Sequence, residues 1–182
     1  MYVKDWMSKN PISIPVDATV AEARVLFESK TIRHLPVVDG GVVVGIFSRT
    51  DQLRVRDDHQ MTTVQQWMGA PAITIEPTAT IEQAALVLRE HKLGCLPVVD
   101  GSKKLIGIIT ESDVLDLLVD VLGFRSAGAR MVLEGDQPEQ AIERLANLVR
   151  EHKLKLRSIV FYHPRGTEQK TRIVARVSGD TH

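Results

Sequence analysis

The sequence has little cysteine, few aromatic residues and no excess of either charge. Its one cysteine, Cys95, excludes an internal disulfide and argues against a zinc site. Aromatic residues make up 4% of the chain, which argues against a surface that stacks nucleic-acid bases. Lys+Arg and Asp+Glu are equal at 23 each, so net charge gives no attraction to nucleic acid or to an anionic membrane.

A local basic set keeps nucleic-acid binding open as an alternative. Its members are Arg165, Lys170, Arg172 and Arg176. A charged face of a hairpin explains the same residues without any nucleic acid. We therefore expect no nucleic-acid partner.

Long hydrophobic runs are also missing. No early apolar stretch resembles a signal peptide, and none reaches the roughly 20 residues of a membrane helix. The sequence contains no phosphate-binding glycine loop, no G-x-S-x-G nucleophile motif and no metal-ligand spacing of histidines. We expect a cytoplasmic protein that is not an enzyme and that has no catalytic residues, cofactor, metal or membrane partner.

An internal repeat is the main feature that the sequence does contain. Leu-Pro-Val-Val-Asp-Gly occupies 35–40 and returns at 96–101, which is 61 residues later. The matching continues in Trp6-Met7 with Trp67-Met68, and in 45–51 with 107–113. A repeat of this length is one supersecondary unit that needs a partner to bury its apolar face. Two such units should pack on each other, and a ligand is expected in the cleft between them.

Each repeat shows the pattern of a β-α-β-β-α unit. Thr19 with Glu22, and Thr80 with Gln83, predict helix starts of the capping-box type. Glycine-containing turns follow each Leu-Pro-Val-Val run and predict hairpins. The predicted repeats span residues 1–61 and 62–124.

A smaller segment follows at residues 128–182, where the repeat is no longer recognisable. Its pattern predicts β-α-β-β, with a helix start at 136–139 and a turn at 164–167. The fold class is therefore α+β, with the last segment leaning on the repeats or on another chain.

Two hydroxyl–carboxylate pairs follow apolar strands, one in each repeat. They are Ser48 with Asp51, and Thr110 with Asp113. Each pair is a capping box that needs no ligand. The same geometry places free backbone N–H groups, a hydroxyl and a carboxylate where a phosphate and a ribose could bind. The residues alone leave both interpretations open.

The residues before each Leu-Pro-Val-Val differ between the repeats. Arg33 and His34 could hold a phosphate, or could be a solvated arginine and a half-buried histidine. Gly94-Cys95 carries no positive charge, so Lys92 or a residue of the other repeat would have to bind a phosphate there. The sequence predicts two pockets that are not equivalent.

These motifs resemble the tandem CBS-domain pair, or Bateman module. The resemblance covers residues 3–122 and includes 7–11, both Leu-Pro-Val-Val-Asp runs and both Gly-h-h-Ser/Thr-x-x-Asp endings. It implies two β-α-β-β-α repeats packed through their sheets, homodimers formed through the modules, and clefts that bind AMP, ADP, ATP or S-adenosylmethionine.

The resemblance also implies roles for individual residues. Asp51 and Asp113 would hold ribose hydroxyls. Ser48 and Thr110 would face phosphate or ribose, and Arg33 and His34 would face phosphates near the midline. The residues that would line the adenine pockets are Ile12, Ser13, Ile14, Ile73, Thr74 and Ile75.

The last segment resembles a shortened ACT domain, a fold that senses amino acids and pairs with a second chain. The arrangement of a CBS pair followed by an ACT-like segment resembles acetoin-utilisation proteins of the AcuB type. The resemblance implies a regulatory protein that senses an adenine nucleotide and signals to an unknown partner by a change of conformation. A structural scaffold with empty clefts, acting through dimerisation and protein partners, is the alternative.

Overall fold

The computed structural model describes residues 1–135, 138–163 and 171–179. The chain forms two compact units, Met1–Val114 and Leu115–His182. The predicted turn at 164–167 lies outside the described residues, as do Asp136 and Gln137 of the predicted helix start and Arg165 and Lys170 of the basic set. Within the described ranges, every helix is too short or too polar to span a membrane.

The first repeat begins with a short helix and two very short strands. Its elements are α1 (Val3–Trp6), β1 (Ser8–Lys9), β2 (Ile14–Pro15), α2 (Val20–Lys30), β3 (His34–Asp39), β4 (Val42–Ser48) and α3 (Arg49–Arg54). The second repeat contributes α4 (Ile81–His91), β5 (Cys95–Val99), β6 (Leu105–Thr110) and α5 (Glu111–Val121). The predicted β-α-β-β-α order is therefore confirmed in its α-β-β-α part in both repeats.

The predicted capping boxes begin α2 and α4. The Thr19 hydroxyl accepts a hydrogen bond from the Glu22 amide at 3.2 Å, and the Glu22 carboxylate accepts one from the Thr19 amide at 2.7 Å. Thr80 and Gln83 make the same two contacts at 3.2 and 2.9 Å. Each box satisfies donors that a helix start otherwise leaves free.

Two three-stranded sheets carry the two repeats. The first sheet has the order β2-β3-β4, with β2 parallel and β4 antiparallel to β3. In the second repeat the place of β2 is taken by a single parallel bridge between Ile75 and Val98. The second sheet has the order β1-β6-β5, so it is completed by β1 from the N-terminal segment of the chain.

The repeats exchange their leading segments. Val64 is fully buried in the core of the first repeat, with Phe27 and Phe47. Val3, its equivalent 61 residues earlier, is also fully buried, and its amide donates to the carbonyl of Ala79 in the second repeat. The core of each repeat therefore contains a segment that precedes the other repeat in the sequence. This exchange interlocks the two repeats.

After the end of α5, most of which belongs to the second unit, this unit has a β-α-β-β order, as predicted. Its elements are β7 (Ala129–Gly135), α6 (Pro138–Glu151), β8 (Lys155–Tyr162) and β9 (Thr171–Ser178). Both β7 and β8 pair antiparallel with the central strand β9. Leu145 of α6 is buried together with Ile173, Ala175 and Val177 of β9, so the helix covers one face of the sheet. The ACT-like character of this unit stays a prediction.

Candidate functional site

Two clefts open in the first unit, and we name each after its carboxylate. The Asp51 cleft, with a volume of about 490 Å³, is lined by His34, Ile46, Ser48, Thr50, Asp51, Gly69, Ala70, Pro71, Ala72, Ile73, Lys92, Leu93, Gly94 and Cys95. The Asp113 cleft, with a volume of about 410 Å³, is lined by Ser8, Asn10, Pro11, Ile12, Thr31, Ile32, Arg33, His34, Ile108, Thr110 and Asp113. Except for His34, Thr50 and Ala70, every residue that lines the Asp51 cleft has its repeat equivalent in the lining of the Asp113 cleft.

Each cleft combines the end of a strand from one repeat with two segments of the other. In the Asp51 cleft, Ser48 and Asp51 come from the first repeat, and residues 69–73 and 92–95 come from the second. In the Asp113 cleft the roles are reversed, because residues 8–12 lie along β6. The exchange of leading segments is therefore what builds the clefts.

The hydroxyl–carboxylate pairs are capping boxes in both clefts. The Asp51 carboxylate accepts from the Ser48 amide at 2.9 Å and from its hydroxyl at 2.5 Å. The Asp113 carboxylate accepts from the Thr110 amide and hydroxyl, both at 2.7 Å. These side chains are half-buried, so the boxes hold each carboxylate in a fixed orientation at the cleft wall.

The capping contacts use only one oxygen of each carboxylate. In both residues that oxygen is Oδ2. The Oδ1 atom of Asp51 has a long contact of 3.9 Å with Nη1 of the exposed Arg54. An ionised carboxylate has about four acceptor sites, so acceptor capacity remains for ligand hydroxyls. The capping role and a ligand-binding role are thus compatible in the same residue.

The six residues expected around adenine separate into two groups. Ile12 and Ile73 each expose 37% of their surface and line the Asp113 and Asp51 clefts, respectively. Ile14 belongs to the hydrophobic core and is 2% exposed. Ser13 and Ile14 border a separate groove beside α2, and Thr74 and Ile75 border the equivalent groove beside α4. Of these six residues only Ile14 lies in a strand, β2, so the separation follows from the irregular backbone that precedes it and not from strand alternation.

The predicted cations are distributed over both clefts. Arg33 lines the Asp113 cleft, where its Nη2 lies 3.4 Å from the Ser112 hydroxyl of the other repeat. Lys92 lines the Asp51 cleft from the C-cap of α4, where its backbone is left-handed with φ of 53°. Each cleft therefore has one strongly basic side chain of a different type, as the sequence comparison of the repeats suggested.

His34 lines both clefts. A Cβ atom placed on Gly94 would lie 2.6 Å from the Nε2 atom of His34, so the imidazole lies directly against the glycine backbone of the other repeat. Burial lowers the pKa of His34 below its ordinary value, and the neighbouring Arg33 lowers it further. The sequence pointed to His34 as a phosphate ligand but gave no indication that the ring is shared.

Cys95, the repeat equivalent of His34, lines the Asp51 cleft only as a buried side chain. Burial raises the pKa of its thiol to about 12. A thiol with this pKa is almost entirely protonated at neutral pH and is a poor nucleophile. The Asp51 cleft therefore offers binding groups, and its cysteine is suited to packing.

Sequence reasoning missed several lining residues. Ile46 and Ile108 occupy the first apolar position after the glycine in each repeat, and the repeat alignment could have identified them. Asn10 and Pro71 come from segments that reach the clefts through the exchange. Sequence spacing carries no signal for that exchange.

The chain matches the family model of the CBS domain twice, at residues 3–55 and 64–120. A CBS domain-containing protein of Dictyostelium discoideum is 35% identical over 135 residues, which is 66% of this chain and 92% of that protein. The homoserine O-acetyltransferase of Methanocorpusculum labreanum is 36% identical over 119 residues, but the match spans 64% of this chain and only 24% of that longer protein.

Solved structures similar to this chain include CBS pairs with bound ligands. The CBS domain pair of protein MJ0100, in complex with 5-methylthioadenosine and S-adenosylmethionine, has a TM-score of 0.61 and 28% identity, covering 65% of this chain and 99% of that one. CBSX2 in complex with AMP has a TM-score of 0.59 and 29% identity, covering 65% and 96%. AcuB from Vibrio cholerae, assigned to acetoin utilization, has a TM-score of 0.61 and 31% identity, covering 69% and 95%.

Proposed function

Because the chain belongs to the CBS-domain family, we propose that it is a regulatory protein whose two clefts bind adenosine-containing ligands. The candidates are AMP, ADP, ATP and S-adenosylmethionine. The observation that carries the proposal is the presence, in each cleft, of an oriented carboxylate with spare acceptor capacity, an exposed isoleucine and a basic side chain. Similar CBS pairs crystallised with AMP, 5-methylthioadenosine or S-adenosylmethionine support the same ligand class.

Different residues would contact different parts of the ligand. Asp51 and Asp113 would accept hydrogen bonds from the ribose hydroxyls, with Ser48 and Thr110 beside them. The apolar faces of Ile12 and Ile73 would contact the adenine rings. The groups that would face phosphates or another polar tail are Arg33 and His34 in the Asp113 cleft, and Lys92 and His34 in the Asp51 cleft.

Signalling would follow from differential binding. The clefts are built from both repeats, so a ligand contacts both and favours one arrangement of the two. The available free energy is the difference in ligand affinity between the arrangements. A homodimer through the CBS modules or the last unit, in the cytoplasm, would present this change to a protein partner.

Isothermal calorimetry with AMP, ADP, ATP and S-adenosylmethionine tests the proposal. We expect saturable binding of at least one ligand, and a rise in melting temperature with its concentration, because the ligand binds only the folded state. IMP is a suitable control, since it keeps the ribose and the phosphate of AMP and changes only the base. If neither calorimetry nor the melting temperature shows binding of any of the four ligands, the proposal is wrong.

A structural scaffold with empty clefts is the second candidate. The observation that favours it is the capping contacts, because they give Ser48, Asp51, Thr110 and Asp113 a structural role without any ligand. If this alternative is correct, calorimetry detects no binding of any ligand, and the oligomer remains intact on dilution in the absence of nucleotide.

A further inference from the structure

We infer that His34 is a shared side chain that makes the two clefts interdependent, so that an anionic ligand in one weakens binding of an anionic ligand in the other. The inference rests on the proposed function, since both clefts must bind a ligand. It adds to that function a rule for how the two sites regulate each other.

His34 reaches both clefts, whereas its equivalent in the second repeat does not. The residue begins β3 and pairs with Ser48 across the sheet, which brings its ring to the Asp51 cleft as well as the Asp113 cleft. The ring reaches the second repeat because position 94 has no side chain: a Cβ there would meet Nε2 at 2.6 Å and Cε1 at 2.7 Å. At the equivalent position the second repeat has Cys95, which is too short and too buried to serve two sites.

The chemistry of imidazole produces the competition. A neutral imidazole has one N–H donor, whereas the imidazolium ion has two. Burial keeps the pKa of His34 below its ordinary value, so the ring is neutral at pH 8. A single N–H can donate to an anion in only one cleft at a time. The ligand in the other cleft therefore lacks this hydrogen bond and binds more weakly.

The charged groups around the ring set the direction of the pH dependence. Arg33, the preceding residue, lowers the pKa of His34, whereas Glu111 of α5 and Asp51 of α3 raise it. Lys92 is the strongly basic residue that lines the Asp51 cleft. A phosphate bound beside the ring favours the imidazolium. Below the pKa of His34 the ring can donate to both clefts, and the competition should weaken.

Calorimetry with AMP on the full chain measures the coupling. Asp51→Ala and Asp113→Ala each leave one cleft intact and give the affinity of that cleft alone. At pH 8.0 the second AMP should bind the wild type at least about five-fold more weakly than the corresponding single-cleft variant, a typical size for coupled sites. As the pH is lowered stepwise from 8.0 through the pKa of His34, with the single-cleft references measured again at each pH, this ratio should fall towards one.

Two pairs of variants test whether His34 carries the effect. His34→Ala, measured alone and with each single-cleft substitution, should bring the ratio to one at every pH, whereas Cys95→Ala at the equivalent position keeps it. Gly94→Ala should also remove the coupling, because its Cβ displaces the ring. Gly101→Ala is the control outside both cleft linings, since no atom lies within 4 Å of its Cβ.

The outcomes separate the inference from the proposed function. Absence of AMP binding in the wild type and in every variant would overturn the inference, and the proposed function would fall as well only if ADP, ATP and S-adenosylmethionine also failed to bind. AMP binding in both clefts with the affinities of the single-cleft variants would overturn the inference and leave the function standing. The inference would also be overturned, and the function left standing, if a single-cleft variant bound no AMP or if the coupling persisted in His34→Ala.

Discussion

Replacing Asp113 by alanine separates the two roles that the structure gives to its carboxylate. The substitution removes the acceptor of the Thr110 amide and hydroxyl, each 2.7 Å away, and also the acceptor proposed for the ribose. It leaves the lining of the Asp51 cleft unchanged. The expected result is therefore a loss in one cleft only, together with a modest loss of stability.

The size of each effect can be worked out from the contacts. A hydrogen bond to a charged group contributes about 1.5–3 kcal/mol, so the loss of one ribose contact should weaken AMP binding in the Asp113 cleft about 10- to 150-fold. Loss of a capping carboxylate should lower the free energy of unfolding by about 1 kcal/mol. Calorimetry measures the first quantity, and urea unfolding measures the second.

Glu22→Ala is the matched control. Glu22 has the same capping contacts with Thr19 at the start of α2, but it borders the groove beside α2 that also contains Ser13. It should lose a similar amount of stability and bind AMP like the wild type. If Asp113→Ala also bound AMP with unchanged affinity in both clefts, the ribose role of this carboxylate would be refuted.

Two further predictions concern buried side chains. Because burial raises the pKa of Cys95 from 9.0 to about 12, its thiolate fraction at pH 8 falls about 10³-fold, and iodoacetamide should label the folded protein at least about 100-fold more slowly than the protein in urea. Equal rates would contradict the burial. Val3→Ala should lower the free energy of unfolding by about 2 kcal/mol, because it removes two buried methyl groups from the exchanged segment and leaves a cavity. Val25→Ala, on the exposed side of α2, should change it by less than about 0.5 kcal/mol; equal losses would show that the exchanged segment is not an integral part of the fold.

Local patterns were sufficient to predict the elements. The capping boxes at Thr19 and Thr80, and the β-α-β-β order of the last unit, follow from signals within a few residues of one another. The family followed from the duplication of motifs at a constant spacing, and the family match at 3–55 and 64–120 confirms it. The helix caps and the element order depend on residues close together in the chain, and the repeat is visible as recurring motifs. The sequence alone therefore reveals both.

The candidate site could be predicted only in part. Asp51, Asp113, Arg33 and Lys92 line the clefts that the repeat suggested. The adenine assignment needed the structure, because Ile14 belongs to the core and Ile12 to a cleft although a strand with a period of two would place both on one face. Ile12 lies outside β2, and the sequence does not reveal where that strand begins.

The sequence by itself determined two units of one kind, where their helices begin, and which residue types could meet a nucleotide. Only the tertiary structure decided that residues 8–9 complete the second sheet, that Val64 closes the first core, and that His34 reaches across Gly94 to a second cleft. The physical reason is that these contacts join distant residues: Ser8 and Ile108 are 100 positions apart, Ala18 and Val64 are 46 apart, and His34 and Gly94 are 60 apart. Their formation depends on shape and burial across the whole unit, whereas caps, turns and periodicity depend on a few neighbouring residues.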